Sequence, residues 1–110
     1  MKTLFSLLTA SALILGSASA WSANDDAAVN ALMKKSNCFK CHSVDKKKDG
    51  PSYKSVAEKY KDKPDAAQTL HTHLTTHPMV EVGGNKEQHE ALKTTNDADV
   101  QAVVKWILAR

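Results

Sequence analysis

Aromatic residues make up only 5% of this 110-residue chain, too few for a small core to rest on them. Domains of this size bury limited apolar surface, so metals, disulfides or cofactors commonly supply the remainder. Disulfide stapling is excluded as that supplement. The chain has two cysteines, Cys38 and Cys41, and their spacing cannot close a long loop. No internal repeat, low-complexity tract or strand pattern is present. Basic residues are not interleaved with stacking aromatics, which argues against nucleic acid as a partner. What is left is a small helical domain suited to packing around a bound cofactor.

Long apolar runs are also missing, apart from one at the start. Met1-Lys2 gives a positive end, Leu4 to Leu15 is apolar except for Ser6, Thr9 and Ser11, and Ala18-Ser19-Ala20 offers the small residues of a cleavage site. This pattern predicts a secretory signal peptide over residues 1–20, too short for a permanent membrane anchor. The remaining 21–110 form one domain of 90 residues in an exported, periplasmic setting.

Over that domain the apolar spacing is helical. Asn24 suits a helix cap ahead of Asp25-Asp26, and Val29, Leu32 and Met33 form a stripe. Asp49-Gly50-Pro51 reads as a turn before Tyr53, Val56, Ala57 and Tyr60. Pro64 fits the first position of a helix carrying Ala67, Leu70 and Leu74, and Pro78 stops it. Residues 80–93, with Gly83-Gly84, read as loop. Asn96, with Asp99 three residues on, caps the last helix, whose face is Val100, Val103, Val104, Ile107 and Leu108.

One motif carries chemistry. Cys38-Phe39-Lys40-Cys41-His42 is a C-x-x-C-H pattern, the spacing of covalent c-type haem attachment. Two thiols three positions apart can each form a thioether to one porphyrin, and the following imidazole can bind the iron. The alternatives are a redox dithiol, which belongs at a strand-to-helix junction in a βαβ pattern, and half a zinc site, which needs two more ligands. His73 and His77 have H-x-x-x-H spacing, but 31 residues separate Cys41 from His73, more than a finger allows. A single copy of the motif implies one haem.

Charge is nearly balanced. The formal charge of +3 falls to +2 once Lys2 is removed, with 14 basic against 12 acidic residues. Lys34, Lys35, Lys40, Lys46, Lys47, Lys48 and Lys54 flank the motif. They form either an ordinary solvated face or a positive collar that steers acidic redox partners onto an exposed haem edge.

Three segments together resemble the small bacterial class I cytochromes c of the monohaem, periplasmic type. Residues 32–42 resemble the family's first helix entering the haem site, residues 50–60 its proline loop and next helix, and residues 97–108 its terminal helix. The resemblance implies an all-α fold of about four helices around one haem c bound through Cys38 and Cys41. It implies His42 as proximal ligand, with the Pro51 carbonyl accepting the proton of its Nδ1. Trp106 matches the aromatic where the first and last helices cross. The family usually places a methionine opposite the histidine, and Pro78-Met79 has that local motif. Counting back from Trp106 instead reaches His89, leaving residues 80–90 as an insertion if Met79 binds. His89 is the favoured distal ligand, Met79 the alternative, and His77 trails both.

These residues imply a periplasmic electron carrier, not an enzyme, since no separate acid–base constellation is present. Its partners would be periplasmic redox proteins. The alternative is a haem-based ligand binder or sensor with a labile sixth ligand. Two imidazoles, in place of imidazole and thioether, would lower the potential.

Overall fold

The computed structural model describes residues 23–110, with side chains from Asp26 onward. The signal peptide expected over 1–20 lies outside the described residues. Among the described residues, five helices and one hairpin follow in order: α1 Ala23–Lys35, α2 Cys38–Cys41, α3 Tyr53–Tyr60, α4 Ala66–Thr75, β1 Met79–Val82, β2 Asn85–Gln88 and α5 Asp97–Leu108.

Helix α5 is the hub, packing against α1, α3 and α4. Its sequence makes this possible, because Val100, Val103, Val104, Trp106 and Ile107 are all buried. Asn96 caps it as expected, its side chain accepting from the Ala98 N–H at 3.0 Å, while Asp99 turns to accept from the Thr94 hydroxyl at 2.9 Å. The crossing of first and last helices is present, with Val29 and fully buried Met33 of α1 in the same core. Asn24, read above as the cap of α1, already lies inside the helical range. Helix α4 starts at Ala66, two residues after Pro64, and this shifts its buried face. Ala66, Leu70 and Leu74 point inward and Ala67 is exposed. Spacing of i, i+4, i+8 keeps the three on one stripe.

Scarce aromatics are concentrated beneath the motif. Trp106 meets Tyr53 edge-on at 5.4 Å and Phe39 at 6.5 Å, and Phe39 meets Tyr53 at 6.1 Å. The Arg110 guanidinium covers the Trp106 ring at 4.2 Å. Trp106→Ala is expected to cost about 3–5 kcal/mol, as for other large-to-small core changes, read from the denaturation midpoint of the holoprotein.

The hairpin corrects the loop expected over 80–93. Met79 pairs with Gln88, Val80 with Glu87, Glu81 with Lys86 and Val82 with Asn85. Gly83 and Gly84 take positive φ, 56° and 86°, the requirement of a tight two-residue turn. The ladder continues one step further, His89 N–H donating to the Pro78 carbonyl at 2.8 Å.

Candidate functional site

Helix α1 ends at Lys35, and two residues on Asn37, in a left-handed conformation (φ 60°), turns the chain straight into α2. That single helical turn sets Cys38 and Cys41, at i and i+3, on one face. Both thiols are free and half-buried. Burial pushes the Cys38 thiol above its ordinary value, the opposite of the stabilised thiolate a redox dithiol requires.

His42 follows in extended backbone, its N–H closing the turn on the Cys38 carbonyl at 3.0 Å. Its Nδ1 lies 2.7 Å from the Pro51 carbonyl oxygen. A carbonyl can only accept, so Nδ1 carries the proton and Nε2 is left as the metal-binding nitrogen. The loop that supplies Pro51 is itself tied down: Gly50 N–H donates to Cys41 O at 2.8 Å and Tyr53 N–H to Ser43 O at 2.9 Å. Tyr53 then stacks on the His42 ring, centroids 5.2 Å apart and planes 30° off parallel. Its phenol is pushed well above the ordinary range, chiefly by burial, and stays neutral.

Opposite His42 stands His89, ring centroids 6.1 Å apart. Two imidazoles sharing one metal, each with a metal–nitrogen distance of about 2.0–2.1 Å, place their ring centres roughly 6 Å apart. His89 is held from several sides. Besides the Pro78 bond, its carbonyl accepts from His77 Nδ1 at 3.2 Å. Glu90 accepts from the Asn37 amide at 3.1 Å, tying the segment to the entrance of α2. Leu92 N–H donates to Leu74 O, and Lys93 N–H to the buried Ser36 hydroxyl, both at 2.9 Å. Burial, then His42, pushes the His89 imidazole below its ordinary value, favouring the neutral form. Its Nδ1 is buried without a hydrogen-bond partner.

Met79 sits at the start of β1, 59% exposed. The H-x-x-x-H spacing of His73 and His77 does not place the two on one helix face. Helix α4 ends at Thr75, His77 takes a left-handed φ of 51°, and its ring nitrogen is used on His89. His73 packs instead on the His89 ring at 4.3 Å. Sequence reasoning missed this contact, although His73 lies between the buried Leu70 and Leu74. Among the described residues no group of three or more His, Cys, Asp or Glu is arranged to hold a separate metal ion. The unpaired thiols, the oriented His42 ring and the buried, unpartnered nitrogen of His89 together fit a covalently bound haem.

Comparison with known proteins decides the family. The sequence profile for cytochrome c matches residues 27–110. The chain belongs to the cytochrome c family. It is 37% identical over 82 residues to cytochrome c-552 of Nitrosomonas europaea, covering 70% of this chain and 73% of that one. It is 39% identical over 79 residues to cytochrome c-551 of Allochromatium vinosum, covering 70% and 80%. Among solved structures it resembles the class 1 cytochrome MtoD of Sideroxydans lithotrophicus ES-1, with a TM-score of 0.73, 42% identity, and 77% and 95% of the two chains covered. Wild-type Nitrosomonas europaea cytochrome c552 gives a TM-score of 0.56 at 35% identity, covering 72% and 95%. This is therefore a small class I monohaem cytochrome c, an electron-transfer protein carrying haem c through Cys38 and Cys41. The five described helices and the small hairpin are consistent with the class I cytochrome c fold.

Proposed function

We propose that this cytochrome is a diffusible periplasmic one-electron carrier in which His42 and His89 would hold the haem iron. The observation that carries the reading is the facing pair of imidazoles at 6.1 Å. The hairpin explains how His89 comes to stand there. Its ladder closes residues 79–88 on themselves and returns His89 to hydrogen-bond contact with Pro78. The distal residue thus follows the proline in space while lying eleven positions after it in sequence.

Haem c supplies a one-electron couple at its iron. The chain's own task is to hold both ligands still. Pro51 fixes the His42 ring through Nδ1, and Tyr53 backs it. Pro78, His77 and Ser36 fix the backbone around His89, and Asn37 holds the side chain of Glu90. Ligands placed this way need little rearrangement as charge changes, which keeps the barrier to electron exchange low. A second imidazole in place of thioether makes this a carrier of lower potential than its methionine-ligated relatives.

The seven lysines around the motif are exposed. Lys54 pairs with Asp45, and Lys48 donates to the Phe39 carbonyl at 2.8 Å. The others extend into solvent and suit docking on acidic faces of periplasmic redox proteins. The leader pattern of residues 1–20 supports export, and no described helix is long and apolar enough to cross a membrane.

Absorption spectra of the purified protein test this. The carrier is expected to be six-coordinate and low-spin in both oxidation states and to leave carbon monoxide unbound. A high-spin ferrous spectrum with ready carbon monoxide uptake would favour the ligand-binding or sensing alternative instead.

A further inference from the structure

Among the described residues the haem-loaded chain carries thioether sulfurs at Met33 and Met79 and, once joined to the porphyrin, at Cys38 and Cys41. Most are shielded. Met33 is fully buried in the core, and both cysteines are half-buried. Met79 differs: it is 59% exposed, the one large apolar side chain open to solvent among the described residues. It opens β1 opposite Gln88, whose side chain is also exposed. The His89 N–H bonds to the Pro78 carbonyl, so 78 and 89 are a hydrogen-bonded pair and, by alternation, 79 and 88 a non-hydrogen-bonded one. Facing side chains stand closest at such positions.

Resting on the reading that His89 is the distal ligand, which leaves the Met79 sulfur uncoordinated, we propose that Met79 is a modification site, converted by hydrogen peroxide to methionine sulfoxide without disturbing the iron. The sulfur attacks one peroxide oxygen with a lone pair. An S–O bond forms as the O–O bond breaks. Sulfur loses an electron pair, peroxide gains it, and the second oxygen leaves as water with both peroxide protons. Solvent reaches this sulfur without any opening of the core. The product also suits its place. A sulfoxide is polar, and at the exposed start of β1 it stays hydrated, whereas the same change at Met33 would bury a polar group at a cost. Its oxygen accepts hydrogen bonds, and the Gln88 amide across the ladder is a donor. The facing pair of His42 and His89 contains no sulfur, so oxidation at Met79 removes no ligand. Peroxide met outside the cytoplasm thus marks the hairpin and spares the electron-carrying site.

Ferric holoprotein treated with dilute hydrogen peroxide, followed by peptide mass spectrometry to locate added oxygen, tests this. Met79 is expected to gain one oxygen at least about tenfold faster than Met33, since susceptibility follows exposure. Over the same interval the low-spin spectrum, the midpoint potential and the indifference of the ferrous form to carbon monoxide are expected to match untreated protein. Met79→Leu is expected to lose the fast uptake of oxygen. Oxygen appearing at Met33, Cys38 or Cys41 as fast as at Met79, with the low-spin spectrum kept, would overturn the proposal and leave His89 as ligand. So would a Met79 that stays unmodified in the folded protein while His89→Ala opens the iron. Oxidation of Met79 in step with a high-spin ferric spectrum and carbon monoxide uptake would show that its sulfur held the iron, and would overturn both readings.

Discussion

His89→Ala is expected to turn the ferric protein high-spin and to let its ferrous form take up carbon monoxide stoichiometrically, while Met79→Leu leaves both spectra unchanged. The asymmetry follows from where the two side chains stand. His89 faces His42 at 6.1 Å with a buried, unpartnered nitrogen. Met79 opens β1 opposite Gln88 and is 59% exposed. Bringing Met79 into the site would require unzipping the hairpin, since its backbone is part of the ladder that closes Gly83-Gly84. Removing His89 requires nothing to move, because its backbone is held by Pro78 and His77. The vacancy at the iron therefore persists in the variant. Equilibrium spectra and carbon monoxide titration of both variants are sufficient measurements. A low-spin His89→Ala protein that ignores carbon monoxide, beside an open Met79→Leu protein, would reverse the assignment of the distal ligand.

Much of this arrangement could be read from residue order, because local chemistry and tertiary packing agree there. The face of α5 is spaced at helical period and is the face that is buried. The C-x-x-C-H turn is defined by neighbours in sequence, and so is the capping of α5 by Asn96. Where the two levels diverge, the reading slips. Helix α4 buries Ala66 in place of Ala67, because the helix begins after the Lys63–Asp65 turn rather than at Pro64. The hairpin was illegible because β2 reads Asn-Lys-Glu-Gln and every one of its side chains is exposed. A strand with no buried face leaves no alternating pattern, and only the Gly-Gly turn marked it.

The same hairpin explains why two sequence clues to the distal ligand disagreed. The local clue, a methionine after Pro78, and the positional clue, His89 counted back from Trp106, name residues ten positions apart. Pairing of residues 79–88 returns His89 to the Pro78 carbonyl, so on the proposed reading the residue named by the positional clue stands beside the proline of the local one. His73 could not be found in this way. Its packing on the His89 ring depends on the approach of α4 to the segment after the hairpin, a contact that no spacing within α4 records.

Gly50→Ala is expected to be the most damaging single methyl that can be added to the proximal side. A Cβ at Gly50 would lie 2.5 Å from Cε1, 2.8 Å from Nδ1 and 3.1 Å from Nε2 of His42. The ring has nowhere to retreat, with Pro51 bonded to its Nδ1 and Tyr53 stacked on it. Either the Pro51 bond lengthens or the Gly50–Cys41 backbone bond gives way. Overpacking of this kind costs about 1–3 kcal/mol, and loss of the hydrogen bond adds about 1 kcal/mol. A weakened Nδ1 bond also makes His42 a poorer donor, so the midpoint potential should rise alongside the fall in stability. Gly84→Ala provides the contrast. Gly84 has φ +86° and open space around its Cβ position, so that variant pays only for a conformation L-residues disfavour, about 1 kcal/mol, and its potential should match the parent. Chemical denaturation and redox titration of the two variants separate the cases. A Gly50→Ala protein with parental stability and potential would show that the His42 ring is free to move, and the tightly held proximal ligand would have to be abandoned.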